Sequence, residues 1–327
     1  MSHIAFSTNA VFPLILIALV GYLFKRIGLI TKDLAAGMNR LVFRLFLPVM
    51  LFLNIYKIEQ PAAIDLTYVW YTLGITGLLF LISIPVTRAF TEKASQRGVL
   101  VQATFRSNFA LVGIPLATAL FGTEGSIVAT LLSAFLIPLY NILAVVCLTV
   151  FSEQTEKRID FRKILKDVAK NPLIRAILLG CAALLVRALL VHFHIDYRLS
   201  DVTFLYKALN SISSVATPLS LVVLGAQFEF SAIAALKKQL IFGVVMRALI
   251  VPAVGLGIAY LLGCFQGAHF AAFVAAFATP IAVSSVPMAQ EMGADSALAG
   301  QLVVWTTLLS ALTLFVAATL LKAAGVF

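Results

Sequence analysis

Asn108 is an uncharged amide in an apolar run, Arg106–Gly122, RSNFALVGIPLATALFG. It lies seven residues, two helical turns, before Pro115, and so on much the same face. Its side chain offers two donors and an acceptor, which suits a carboxylate or a carbonyl. The competing use is an interhelical hydrogen bond, common for Asn in membranes and worth about 1 kcal/mol. Pro115 has no N–H, so the carbonyl of Leu111 one turn back loses its helical partner, and Gly113 loosens the turn before Ile114. In hydrocarbon such a carbonyl is tolerated only against protein or a wet cavity, which is how transporters expose backbone groups to a substrate. A second run, ATPIAVSSVPMAQEMGAD, sets Pro280 and Pro287 around Ser284 and Ser285. Those hydroxyls either face a substrate or satisfy the carbonyls that the prolines free. Arg44 and Arg247 are cations within apolar stretches; they favour an anion if they line a cavity, and otherwise snorkel to the membrane face. Arg106, placed near the end of its stretch, is expected to snorkel. The expected site is therefore a substrate-binding set of Asn108, Gly113, Ile114, Pro115, Pro280, Ser284, Ser285, Arg44 and Arg247, with no metal and no cofactor.

These residues need membrane helices to hold them. Hydrophobic residues make up 61% of the 327, charged residues 12%, and the mean hydropathy is +1.04. Soluble domains carry about 25% charged residues. Ten apolar stretches are each about the 20 residues a spanning helix requires: 8–27, 37–57, 67–88, 98–121, 126–151, 171–193, 203–228, 239–263, 269–291 and 297–321. The first is full length with no basic segment before it, so it is not expected to be a cleavable signal. The net charge of +10 does not indicate nucleic acid, because the basic residues fall between the spans. Fourteen Lys and Arg occupy alternate loops, from Lys25 to Lys238, against three on the other side, Lys57, Arg198 and Lys322. Positive-inside bias then makes the basic loops cytoplasmic and sets both termini on the non-cytoplasmic side of the cell (inner) membrane. Cys147, Cys181 and Cys264 are odd in number and far apart, and are expected to be apolar fillers.

The basic segment 152–170 divides the chain into a first five-helix repeat, 1–151, and a second, 171–327. Its apolar positions suggest a short amphipathic helix at the anionic leaflet. Five spans is an odd number, so the halves have opposite topology. Internal echoes agree: Asn39 and Pro48 in span two answer to Asn210 and Pro218 in span seven, and Pro85 answers to Pro252. The interrupted spans four and nine occupy corresponding places, which is the strongest sequence pointer to a transport site.

At these residues the sequence resembles the auxin efflux carrier family of bacterial permeases and plant auxin exporters. The resemblance covers nearly the whole chain and is carried by GMNRLVFRLFLP (Gly37–Pro48), SNFALVGIP (Ser107–Pro115), LVVLGAQF (Leu221–Phe228) and the run from Pro280 through Gln290 and Glu291. It implies a 5+5 inverted repeat in which spans four and nine cross at mid-membrane, held by Pro115 and Pro280, with Asn108 near the substrate. It also implies movement of small organic anions by an elevator-like displacement of one bundle against another, and a homodimer. The long cytoplasmic loop of many plant members is absent, so their phosphorylation control is not carried over.

Other functions fit less well. No carboxylate sits mid-span, and cation antiporters need one to bind and release the cation. Glu291, at the end of span nine, is the one marginal candidate. Neither H-E-x-x-H nor Gly-x-Ser-x-Gly occurs, so no catalytic set points to an enzyme. The expectation is an all-α membrane protein of ten transmembrane helices, with two broken, crossing helices, that carries a mono- or dicarboxylate by alternating access. Its partners are the organic anion, the lipid bilayer and a second copy of itself. An ion channel or non-transporting receptor of the same fold is the alternative.

Overall fold

The computed structural model describes residues 3–57, 66–152, 161–195, 197–323 and 325; residues 153–160 of the expected linker lie outside them. In chain order the helices are α1 (His3–Arg26), α2 (Lys32–Tyr56), α3 (Thr67–Phe90), α4 (Ala94–Phe105), α5 (Phe109–Val150), α6 (Phe161–Lys170), α7 (Pro172–His192), α8 (Thr203–Gln227), α9 (Lys237–Leu262), α10 (Ala268–Phe277), α11 (Ser285–Glu291) and α12 (Ser296–Ala323). Among the described residues, α2, α3, α5, α7, α8 and α9 are long and apolar enough to cross a membrane, and the bent α12 makes a seventh. No strand forms among them; one isolated antiparallel bridge joins Ser107 to Ile281.

Local chemistry sets where the helices start. The Thr31 hydroxyl accepts from the Leu34 N–H at 3.2 Å to cap α2, and the Asn171 amide accepts from Leu173 at 2.9 Å, with Pro172 behind it, to cap α7. Three prolines inside helices are each preceded by a π-helical turn: Val42–Phe46 before Pro48, Phe109–Gly113 before Pro115, and Met246–Ile250 before Pro252. The wider turn re-pairs carbonyls one residue further on, as when the Ile114 N–H reaches Phe109 O, so the helix passes the proline without ending.

At 42 residues, α5 is too long for one crossing, and it is two arms. Gly122 has φ 59° and ψ −142°, a conformation essentially restricted to glycine. A Cβ on Gly125 would lie 2.2 Å from the Ala117 carbonyl oxygen, whereas a straight helix would separate those residues by about 12 Å. The chain therefore turns sharply at Gly122 and its arms pack together.

Two groups of helices result. In one, α1 lies along α8 and α7 along α2. Gly21 and Gly225 let the α1 and α8 backbones meet, since a Cβ on either would fall within 2.0 Å of a carbonyl oxygen of the other helix. In the second, α3 packs on α4, α5 on α10, and α9 and α12 on the halves around them. The apolar α10 is buried at Ala268 and from Phe270 to Phe277, and forms the centre of this group.

Candidate functional site

Two breaks face each other inside the second group. The first, Arg106–Asn108, separates α4 from α5; the second, 278–284, separates α10 from α11. Extended backbone pairs across them, with the Asn108 N–H donating to Pro280 O at 2.7 Å. The Ile281 N–H donates to the Thr306 hydroxyl at 3.2 Å, which ties the second break to α12. Pro280 lies within its break, as expected. Pro115 does not: the interruption falls at Arg106–Asn108, and Pro115 sits exposed beyond it in a helix that the π turn keeps continuous.

The most consequential residue at the first break is Arg106. It follows α4, which at 12 residues, about 18 Å, is too short to cross a membrane by itself, and its side chain turns into the protein instead of snorkelling outward. It is 2% exposed. Nη1 donates to Gln102 Oε1 at 3.0 Å and to the Met288 sulfur; Nη2 donates to Asn141 Oδ1 at 2.9 Å and to Ser284 Oγ at 2.8 Å. The Asn141 amide is itself oriented by donating from Nδ2 to Ile137 O at 2.8 Å. All of these acceptors are neutral, and among the described residues no carboxylate pairs with Arg106. Its hydrogen bonds are satisfied and its charge is not.

A cavity of about 80 Å³ opens beside it. Arg106, Ser107, Asn108 and the start of α5 line one wall, with Tyr140, Asn141 and Ser284. The facing wall belongs to the other group: Leu47, Met50, Leu51 and Asn54 of α2, and Thr217 and Ser220 of α8. Asn108 is buried, yet its Nδ2 has no partner among the described residues. The first turn of α5 closes onto the Asn108 carbonyl from Val112 and Gly113, leaving the N–H groups of Phe109, Ala110 and Leu111 ahead of it, at the positive end of the helix dipole. A cation, a buried amide and a helix N-terminus thus lie together beside one apolar-walled space, an electropositive arrangement suited to an anion.

The other expected residues take different places. Ser284 is at the cavity and accepts from Arg106, whereas the Ser285 hydroxyl donates to Ala282 O and so satisfies a freed carbonyl. Gly113 is buried where α5 meets α10; a Cβ there would lie 3.0 Å from Ala275 O. Ile114 and Pro115 follow it away from the cavity wall. Arg247 is 1% exposed but lies behind the cavity, donating from Nε to Thr279 O at 2.7 Å and from Nη2 to Ala276 O at 3.0 Å. It caps the carbonyl end of α10, the negative end of that dipole. Arg44 is largely exposed, its side chain at 71%, and meets Glu291 across 3.8 Å. Neither arginine lines the cavity: α2 faces it with Leu47, Met50, Leu51 and Asn54 instead of Arg44, and no described residue of α9, which carries Arg247, reaches it. The sequence did carry a signal for Arg106: it lies only two residues from Asn108, inside the interrupted stretch.

Residues 6–318 match the profile of the membrane transport protein family. An uncharacterized transporter of Methanothermobacter thermautotrophicus is 24% identical over 312 residues, covering 94% of this chain and 96% of its own length. An uncharacterized transporter of Methanocaldococcus jannaschii is 27% identical over 260 residues, covering 75% of this chain and 76% of its own.

Proposed function

This chain belongs to the membrane transport protein family, and we propose that it is a secondary transporter of small organic anions, mono- or dicarboxylates, in the cell membrane. The observation that carries the reading is Arg106: a buried cation with only neutral partners among the described residues, on the wall of a cavity that Asn108 and the start of α5 also line. A carboxylate is the ligand that would offset the Arg106 charge while accepting from the free N–H groups at the α5 N-terminus. Acetate- to malate-sized acids suit the space; a larger acid needs the two walls to separate.

The mechanism we propose is alternating access of the elevator type. Ten helical crossings form a 5+5 inverted repeat when α5 is counted as two arms and each interrupted pair, α4 with the first arm of α5 and α10 with α11, as one crossing. Support comes from the cavity's position between the two helix groups, with Arg106, its one charged lining residue among those described, on the second of them. Displacement of that group would carry the bound anion while α1, α2, α7 and α8 stay in place, as a homodimer would require. Both termini lie outside in this arrangement, following the charge of the loops.

The test is uptake of labelled malate, malonate and indole-3-acetate into proteoliposomes. Saturable uptake of at least one acid, competed by its unlabelled form, is expected. Uptake of none overturns the reading, and uptake that never saturates favours a pore.

A further inference from the structure

We propose that the preferred substrate is a monocarboxylate carrying a neutral hydroxyl or oxo group one or two carbons from its carboxylate, and that Asn54 and Thr217 recognise that group. The proposal rests on the anion-transport reading and narrows its substrate class. Its basis is how unlike the two walls of the cavity are. The second helix group supplies the charge: Arg106 is the one charged lining residue among those described, and the free N–H groups at the start of α5 lie on the same wall. One carboxylate satisfies that wall.

The facing wall is uncharged, and two of its polar side chains have no hydrogen-bond partner among the described residues: the Asn54 amide of α2 and the Thr217 hydroxyl of α8. Ser220, on the same wall, behaves differently. Its hydroxyl donates to Ala216 O at 2.6 Å, within its own helix, the usual use of a hydroxyl in a spanning helix. Asn54 and Thr217 are both half-buried, so their polar groups stay open to a ligand. Together they offer donors and acceptors to an uncharged group, while Leu47, Met50 and Leu51 receive hydrocarbon.

A second carboxylate finds no cation on that wall. Arg44 points out to Glu291, and Arg247 donates to the carbonyls of Thr279 and Ala276. The one charged residue of α11 is Glu291, a turn beyond the Met288 sulfur that accepts from Arg106, and its negative charge adds repulsion. An uncompensated carboxylate in a closed, low-dielectric space is strongly unfavourable. A plain alkyl acid fails for the opposite reason. It leaves Asn54 and Thr217 unpaired once the walls close, and a site that hydrogen-bonds a hydroxyl rejects the analogue lacking it.

The deciding experiment compares two matched pairs of labelled acids, lactate with propionate and 3-hydroxybutyrate with butyrate, and adds malonate. Uptake into proteoliposomes is measured at neutral pH and low concentration, less that into protein-free liposomes. In at least one pair the hydroxy acid is expected to enter about tenfold faster or more than its plain partner, and to exceed malonate by a similar factor. Rates equal within both pairs, or faster for the plain acids, overturn the polar subsite. Malonate as the fastest acid overturns the single-charge argument. Either result leaves anion transport standing, whereas no saturable uptake of any acid overturns anion transport itself. Asn54→Leu and Thr217→Val nearly keep side-chain size and remove the polar groups, so each is expected to bring the ratio within the pair toward one. A ratio that survives in both variants overturns the assignment to Asn54 and Thr217.

Discussion

Asn108 and Arg106 divide the work of binding, and they separate experimentally. Asn108 keeps the break together through its main chain, by the 2.7 Å bond to Pro280 O, and leaves its side-chain donor free. Asn108→Ala removes the side-chain amide and leaves the main-chain bond to Pro280 O in place, so we expect affinity to fall by about tenfold, the worth of one hydrogen bond to a charged group, with a nearly unchanged thermal midpoint in detergent. Unaltered affinity by equilibrium binding would take Asn108 out of the site. Arg247 is the opposite case. Arg247→Ala strands the carbonyls of Thr279 and Ala276, each about 1–3 kcal/mol when buried and unpaired. Its thermal midpoint should drop by several degrees, with Arg247→Lys recovering part; a midpoint equal to wild type would show that α10 needs no cap. Asn108 was legible in the sequence because an amide in an apolar stretch has few uses. The arginines were not, since depth along a span does not tell which way a side chain faces. Arg44 and Arg247 sit at comparable depths, yet one is exposed and the other buried.

Helices as units were legible because their lengths and apolar content are fixed by the thickness they must cross. The helical stretches begin and end within a few residues of the expected spans, except where the chain is interrupted. What proline spacing did not reveal is the break at Arg106–Asn108. Proline removes one donor, and a single π turn absorbs that loss at Pro48, Pro115 and Pro252 alike. The break instead comes where two extended segments satisfy each other across a long sequence separation, at Ser107 and Ile281, which no local pattern encodes. The turn at Gly122 has a local cause and so a local test. Its φ of 59° with ψ of −142° is a backbone conformation that residues with a Cβ rarely adopt, even though the space around it is open, and Gly122→Ala should cost about 1–3 kcal/mol, read as a lower unfolding midpoint. If the midpoint is unmoved, the two arms of α5 do not turn there.

At the scale of the molecule, polar contacts join the two helix groups at one end of the cavity's flanking helices, and the cavity runs toward the other end. On the side of the basic loops, α11 is tied to the first helix group: Glu291 meets Arg44 of α2 across 3.8 Å, and Gln227 of α8 donates to Gln290 at 2.8 Å. On the other side, the cavity runs along α2 as far as Asn54, two residues before that helix ends. In the proposed movement, displacing the second group past the first would break the α11 contacts and leave the close approach of α1 and α8 at Gly21 and Gly225 intact. With Arg44 so exposed, the ion pair contributes at most about 1 kcal/mol, roughly a fivefold bias between the two states. Glu291→Gln removes that bias without changing side-chain size. An Asn54→Cys reporter, in a background where the exposed Cys181 and Cys264 are replaced by Ser, reads the outcome through its rate of reaction with a membrane-impermeant thiol reagent. Labelling should slow in Glu291→Gln, by up to about fivefold where the states are near balance, because the cavity then opens more often toward the basic loops. High salt should slow it in the wild type as well, by screening the same pair. Labelling that is indifferent to both the substitution and the salt would mean that Arg44 and Glu291 meet without holding the two groups together.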